Sequence, residues 1–453
     1  MFAGCAAATW AAALWWGSHK SLPPGAHIAS AVTEVPADEV TFIADITAAD
    51  GYGRPVVSQA IFDSVLGIVH GARAFLVLDY ALIGGAPATG QPALGAQLQD
   101  ALLERRRLLP ALKVLLITDP ASNGWGVAPS ATLALLRSAG VDVVSTDPGV
   151  LRDSSALFFG LWRLVPGLAS RDHRKVIIAD DGHGGLTGIV GSANPQDEQA
   201  LWSNVAIRLA GKPLEALLAS ELALARASGW RGDATLFAAA AAGTPAVPEA
   251  AAIRPTALVQ TLTEGATYDA LLMQLNATGP GDAIDVAQFK LADRGVIEAL
   301  LAAAMRGASV RVLLDPGDGA QGGSESIPNQ PVASELESRS GGAVHVRWYR
   351  THGERFHTSL VIVYGPQQLW FTLGSANLTR RSLEDYNLEA NAAVDVARAA
   401  PLAAQLLDYF ETLWSNKAAL GIEYSSDFAV FADPSQSAHF RGRLLEASGL
   451  SAY

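Results

Sequence analysis

The tetrapeptide Gly-Ser-Ala-Asn occurs at 191–194 and again at 374–377, and each copy closes the same kind of segment. The first follows Asp172-His173-Arg174-Lys175-Val-Ile-Ile-Ala-Asp180, a turn through Asp181-Gly182, and the apolar run Leu186 to Val190. The second follows His357-Thr358-Ser359-Leu-Val-Ile-Val-Tyr364, a turn at Gly365-Pro366, and Leu369 to Leu373. Each segment reads as a hairpin, with two β-rich runs joined by turn residues. A chain that closes both halves with one hairpin is constrained to fold as two copies of one unit.

The rest of the chain repeats in the same sense. Thr41 to Ile46 reads as a strand, Val57 to His70 as a helix and Ala74 to Leu82 as a buried strand. Lys113-Val-Leu-Leu-Ile-Thr-Asp119-Pro120 is a strand ended by a turn, followed by a helix at Ala131 to Ser138 and a strand at Val141 to Val144. In the second half, Tyr268 to Leu275 is helical and Ala283 to Phe289 is a strand. Arg311 to Asp315-Pro316 then echoes the Lys113 strand, and Ala343 to Trp348 echoes Val141 to Val144. Between the halves, Arg231 to Pro255 is rich in Ala, Gly, Thr and Pro, with Pro245, Pro248 and Pro255 and little charge. The expected organisation is an N-terminal arm at 1–35, an α/β domain at 36–232, a linker at 233–255 and a second α/β domain at 256–453. At 453 residues, two domains also suit the length.

Residues i and i+2 of a strand share a face, so His173 and Lys175 are expected to address one phosphate. The Ser192 and Ser375 hydroxyls, nearby backbone N–H groups and the Asn194 and Asn377 amides are candidate phosphate donors. Two such sites would bring two imidazoles to one phosphorus. One, neutral, attacks; the other, as imidazolium, protonates the leaving oxygen. Cations and amides hold the remaining oxygens, so the chemistry needs neither metal nor cofactor. A metal site built from His173, Asp180 and His183 fits no compact zinc spacing.

His-x-Lys-x4-Asp followed by Gly-Ser-x-Asn, present in two versions, resembles the phospholipase D superfamily. The likeness covers nearly the whole chain after the first 35 residues and is strongest at 171–209 and 355–394. It is nearest to bacterial membrane-associated phospholipase D-like proteins, which carry a Lys-x-Leu-Pro-x-Gly segment after an apolar anchor, as at Lys20 to Gly25. The resemblance implies two α/β domains related by a pseudo-twofold axis, with the active site at their interface. It implies a phosphohistidine intermediate, with His173 as nucleophile and His357 as general acid, or the reverse. Lys175, Asn194 and Asn377 complete the motifs, and Asp180 is more structural than catalytic. Glu389, with Asn204 as its first-half counterpart, is the expected acceptor for a histidine's second ring nitrogen.

Two positions depart from the pattern. Ser359 stands where the second lysine is expected, and Tyr364 where the second acid is expected. Loss of one such donor costs about 10²–10³ in rate. Ser359 is accounted for as an introduced inactivating change, as a naturally degenerate half, or by rescue from Arg355, Arg380 or Arg381. The stretch from Asp180 to Gly191, with His183 in Asp-Gly-His-Gly-Gly, implies an extended first turn.

Net charge is −12 and the pI is near 5.2, which disfavours nucleic acid, because binding it depends on neutralising phosphates. Phe2 to Trp16 is uncharged and apolar but short of the roughly 20 residues a spanning helix needs. It reads as an anchor or signal remnant, a lipid attachment segment through Cys5, or a buried arm. With half the residues hydrophobic, the favoured substrate is a phospholipid, the acceptor water or an alcohol, and the location the bacterial inner membrane or its periplasmic side. The alternatives are a nuclease and a phospholipid-binding pseudoenzyme. Trp162 and Trp370 are candidates to line the entrance for an acyl chain or headgroup, while His345 and His352 read as surface residues.

Overall fold

The computed structural model describes residues 21–85, 92–122, 130–147, 170–235, 237, 255–317, 328–417, 421–433, 435, 440 and 443–444. The apolar run at Phe2 to Trp16, Cys5, Lys20, Trp162 and nearly all of the linker lie outside them. Among the described residues, no helix is long and apolar enough to cross a membrane.

The strands are β1 (Thr33–Pro36), β2 (Thr41–Ala49), β3 (Pro55–Ser58), β4 (Phe75–Tyr80), β5 (Lys113–Thr118), β6 (Asp142–Ser145), β7 (Lys175–Asp180), β8 (Leu186–Gly191) and β9 (Asn204–Ala210). The second half adds β10 (Thr256–Thr263), β11 (Ala283–Gln288), β12 (Ser309–Leu314), β13 (Val344–Tyr349), β14 (Ser359–Tyr364), β15 (Gln368–Gly374), β16 (Ala390–Ala397) and β17 (Ser425–Asp427). They form two sheets, ordered β3-β2-β9-β8-β7-β4-β5-β6 and β1-β10-β16-β15-β14-β11-β12-β13-β17. From β2 to β6 and from β10 to β13 the two orders are the same, and in each only the last two pairings are parallel. The repeat read from the sequence is a repeat of topology.

The hairpin strands β7 and β14 are apolar along nearly their whole length because both faces are covered. One core cluster joins the two sheets, packing Val190, Ile207 and Leu209 with Phe371, Leu373 and Val394. The opposite faces pack under helices such as Ile61–Gly71 and Leu94–Leu108 in the first half and Arg294–Met305 in the second. The chain is therefore an α/β protein of two similar domains, stacked sheet to sheet.

Two local features differ from the sequence reading. The helix expected over Val57 to His70 begins at Ile61, because the Asp45 carboxylate accepts the N–H groups of Ala60 (2.6 Å) and Ile61 (3.0 Å). The β-branched pair ahead of it is paired in β3 with β2. Strand β1 joins the edge of the second sheet against β10, so residues preceding the first α/β unit are bound to the second.

Candidate active site

Each motif histidine lies just ahead of its hairpin rather than within it. His173 precedes β7 by two residues, and His357 stands in the same relation to β14. Both segments are clamped from two sides. Asp119, after β5, accepts the Asp172 N–H at 2.8 Å, and Asp315, after β12, accepts the Phe356 N–H at 2.7 Å. From the opposite half, the His173 N–H donates to the Leu388 carbonyl at 2.9 Å, and Leu388 returns a bond to Arg171 at 2.9 Å. Reciprocally, Ser203 donates to the Arg355 carbonyl at 3.0 Å and bridges Phe356. The pseudo-twofold relation thus extends to the hydrogen bonds that hold the site.

The rings are held by the opposite halves as well. His173 Nδ1 is 2.9 and 3.1 Å from the carboxylate oxygens of Glu389, while His357 Nδ1 is 3.1 Å from the Asn204 amide oxygen. Both partners are acceptors, so both imidazoles carry their proton on Nδ1 and keep the Nε2 lone pair for chemistry. The ring centroids are 6.5 Å apart at an interplanar angle of 68°. The His173 side chain is 23% exposed and Glu389 is fully buried, so the imidazole is the part of that pair open to a ligand.

Several placements revise the sequence reading. His173 lies just before the strand that Lys175 opens, and Lys175 acts electrostatically on both imidazoles. The Lys175 ammonium, almost fully buried, donates to the His173 carbonyl at 2.6 Å. The Gly-Ser hydroxyls, expected on a phosphate, are committed elsewhere. Ser375 donates to Glu389, and Ser192 donates to the Asn204 amide oxygen at 3.0 Å. Each serine therefore orients the group that orients the other half's histidine. The glycines ahead of them permit the close approach: a Cβ at Gly374 would meet the Ala390 carbonyl oxygen at 2.2 Å, and one at Gly191 would meet Ala206 at 2.7 Å.

Asn194 is buried, donates to Gln199 at 3.0 Å and leaves its amide oxygen without a hydrogen-bond partner; Asn377 is buried in the matching loop. Asp180 lies at the far end of β7, accepting N–H groups from Arg73, Ala74 and Phe75, and His183 sits in the adjacent turn. Tyr364, at the matching end of β14, meets Arg311. Neither Asp180 nor Tyr364 converges on the imidazoles, so the missing second acid does not alter the histidine pair.

Ser359 donates to the Ala376 carbonyl. Of the arginines considered as substitutes, Arg380 pairs with Glu384 and borders a surface cavity with Asp293 and Arg294. Arg381 is buried in the helix Arg380–Leu383. Arg355 alone of the three adjoins the histidines, its guanidinium 5.8 Å from the Trp202 ring and 5.6 Å from Phe289. Trp370 lies in the second-half core. His345 points outward from β13, and His352 stands beside Glu354.

Three features were not singled out from sequence. Trp202 and Phe289 flank His357, with ring centroids at 5.1 and 4.8 Å. Lys290 acts electrostatically on both imidazoles. Arg174, between the two motif residues, is wholly buried against Glu264 (2.6 Å) and Glu221 (3.1 Å), which ties the motif strand to the second half. A cation placed between two motif residues and followed by an apolar run was the available signal for that last pairing.

Burial, reinforced by Lys175, holds both imidazoles well below their usual pKa, which favours the neutral form of each. Burial likewise pushes Glu389 up to about 8, against the pull of Lys175, and brings Lys175 down to about 8. Beneath them, burial raises Asp172 and Glu264 to about 7 each. A negative charge placed between the rings would raise their proton affinity.

Residues 271–414 match the family model described as cardiolipin synthase, PLD-like domain. No curated protein sequence matches the chain. Among solved structures, phosphatidylserine synthase from Haemophilus influenzae Rd KW20 aligns at a TM-score of 0.58 and 12% identity, covering 92% of this chain and 96% of that one. Polyphosphate kinase from Porphyromonas gingivalis aligns at 0.46 and 12% identity, covering 92% and 56%. Nuc, a phospholipase D family member from Salmonella typhimurium, aligns at 0.28 and 15% identity, covering 38% and 97%. The first alignment shows a common fold across nearly the whole length of both chains.

Proposed function

We propose that this chain, which belongs to the phospholipase D superfamily, cleaves or exchanges a phosphodiester bond of a phospholipid through a covalent intermediate on His173. The observation that carries the reading is the pair of imidazoles from opposite halves, 6.5 Å apart, each fixed through Nδ1 by an acceptor of the other half.

Neutral His173 attacks phosphorus through Nε2, the bond to the leaving oxygen breaks, and His357, as imidazolium, gives that oxygen a proton. His357, now neutral, takes a proton from water or an alcohol, whose oxygen attacks phosphorus and releases His173. Water yields the phosphatidic acid, and an alcohol yields a new diester. The carboxylate behind His173 favours this assignment, because the attacking ring becomes cationic on phosphorylation, whereas the neutral amide behind His357 leaves that ring freer to surrender its proton. Lys175, Asn194 and Asn377 line the reacting phosphate, and no cofactor takes part.

The family match over 271–414 and the high apolar content favour lipid over nucleic acid. With them goes a placement at the bacterial inner membrane or its periplasmic side. The test is to incubate the protein with headgroup-labelled phosphatidylglycerol or phosphatidylcholine and a short alcohol. The expected result is headgroup release with a new phosphatidyl alcohol, both absent in His173→Ala. Turnover of a single-stranded oligonucleotide without lipid turnover would replace this reading with a nuclease; binding of lipid without turnover of either would leave a binding protein.

A further inference from the structure

The second half lacks its motif lysine, yet its motif strand has another cation beside it. Gln288, the last residue of β11, pairs with Ser359 across the ladder, as Tyr80 pairs with Lys175 in the first half. Counting two residues on from each places Lys290 where the first half has Leu82. The first half therefore carries lysine on the motif strand and leucine on the neighbouring segment; the second carries serine on the strand and lysine on the neighbour. The segment is fixed on both sides by the motif. The Phe289 N–H donates to the Thr358 carbonyl at 2.8 Å, and the Leu378 N–H, directly after Gly-Ser-Ala-Asn, donates to the Lys290 carbonyl at 3.0 Å. The ammonium lies 5.1 Å from the Phe289 ring centroid, and that ring lies 4.8 Å from His357.

We propose that Lys290 supplies the second cation of the phosphate cradle, taking over from the segment that follows the neighbouring strand the charge that Ser359 omits. The proposal rests on the phosphodiesterase reading above. Ser359 is then no defect, because its hydroxyl closes the loop through Ala376 and the charge enters one strand away. The neutral leucine at the matching first-half position fits, since Lys175 already provides that half's charge.

Charge relocation is the measurable consequence. Lys290→Met should lower kcat/KM by about 10²–10³ and weaken competitive inhibition by inorganic phosphate, while Lys290→Arg retains most of the activity. Adding Ser359→Lys to Lys290→Met should recover at least tenfold of the loss. Thermal melting confirms that each variant folds. Turnover by the parent protein, absent in His173→Ala, secures the underlying reading first; without it, that reading fails rather than this one. Lys290→Met activity within about threefold of the parent would overturn the proposal. So would a loss that Ser359→Lys leaves unchanged, or a parallel series in which Arg355→Met rather than Lys290→Met is the variant rescued.

Discussion

Truncating the two histidine partners, Glu389→Ala and Asn204→Ala, should separate the roles of the two halves. Glu389 offers His173 both carboxylate oxygens, at 2.9 and 3.1 Å, from full burial, while Asn204 offers His357 one neutral oxygen at 3.1 Å. Opposite the cationic ring of the intermediate Glu389 is ionised, and a hydrogen bond to a charged group contributes about 1.5–3 kcal/mol against about 0.5–1.5 kcal/mol for a neutral one. At about 1.4 kcal/mol per tenfold in rate, Glu389→Ala should lower kcat by about 10- to 150-fold and Asn204→Ala by about 2- to 12-fold. KM should change little in either, because both partners lie behind the rings. Glu389→Gln should fall between them, since it keeps an acceptor for Nδ1–H and for the Ser375 hydroxyl but removes the charge. Initial rates of headgroup release at saturating lipid, with melting curves as a folding control, provide the assay. An Asn204→Ala loss equal to or larger than that of Glu389→Ala would refute the assignment of the cationic intermediate to His173.

Three further outcomes follow from the same packing. Arg174→Met leaves Glu264 and Glu221 buried without their cation and should cost about 3–5 kcal/mol, read by denaturant unfolding at pH 7; a change under about 0.5 kcal/mol would contradict the pairing. Gly374→Ala forces a Cβ against the Ala390 carbonyl and should destabilise by about 1–3 kcal/mol and depress activity through Ser375, whereas Gly279→Ala, with open space around it, should do neither. Burial and the neighbouring acids Asp172 and Glu221 hold the Asp79 carboxyl well above the usual range. Its contribution to stability is complete below about pH 4 and is lost as pH rises through the folded-state value. Asp79→Asn should therefore raise Tm more at pH 8 than at pH 5; equal shifts at both would show that the carboxyl is not held protonated.

The sequence made the hairpins legible because their strands are buried on both faces and so read as continuous apolar runs, as in Val176 to Ala179 and Leu360 to Val363. Glu389 and Asn204 were legible as expected acceptors only through the resemblance to the phospholipase D superfamily. Spacing does not reveal that each serves the histidine of the other half, because the His173–Glu389 contact joins residues 216 positions apart. The serines were misread for a related reason: a hydroxyl beside a phosphate motif suits an anion, but here the nearest acceptors are Glu389 and the Asn204 amide. Lys290 escaped notice because it lies outside the motif and reaches the site only through sheet register. Strand β1 was unreadable as part of the second sheet, since a four-residue strand carries no signal of its partner.

The central claim is that two imidazoles, one from each half, act on a single phosphorus. Its most direct measurement uses phosphatidyl-p-nitrophenol, whose leaving group departs without a proton, and the His357→Ala protein. The account predicts a burst of one nitrophenolate per chain, with the phosphatidyl group mapped by mass spectrometry to His173. A burst that survives His173→Ala, or a label carried on any other residue, would contradict it.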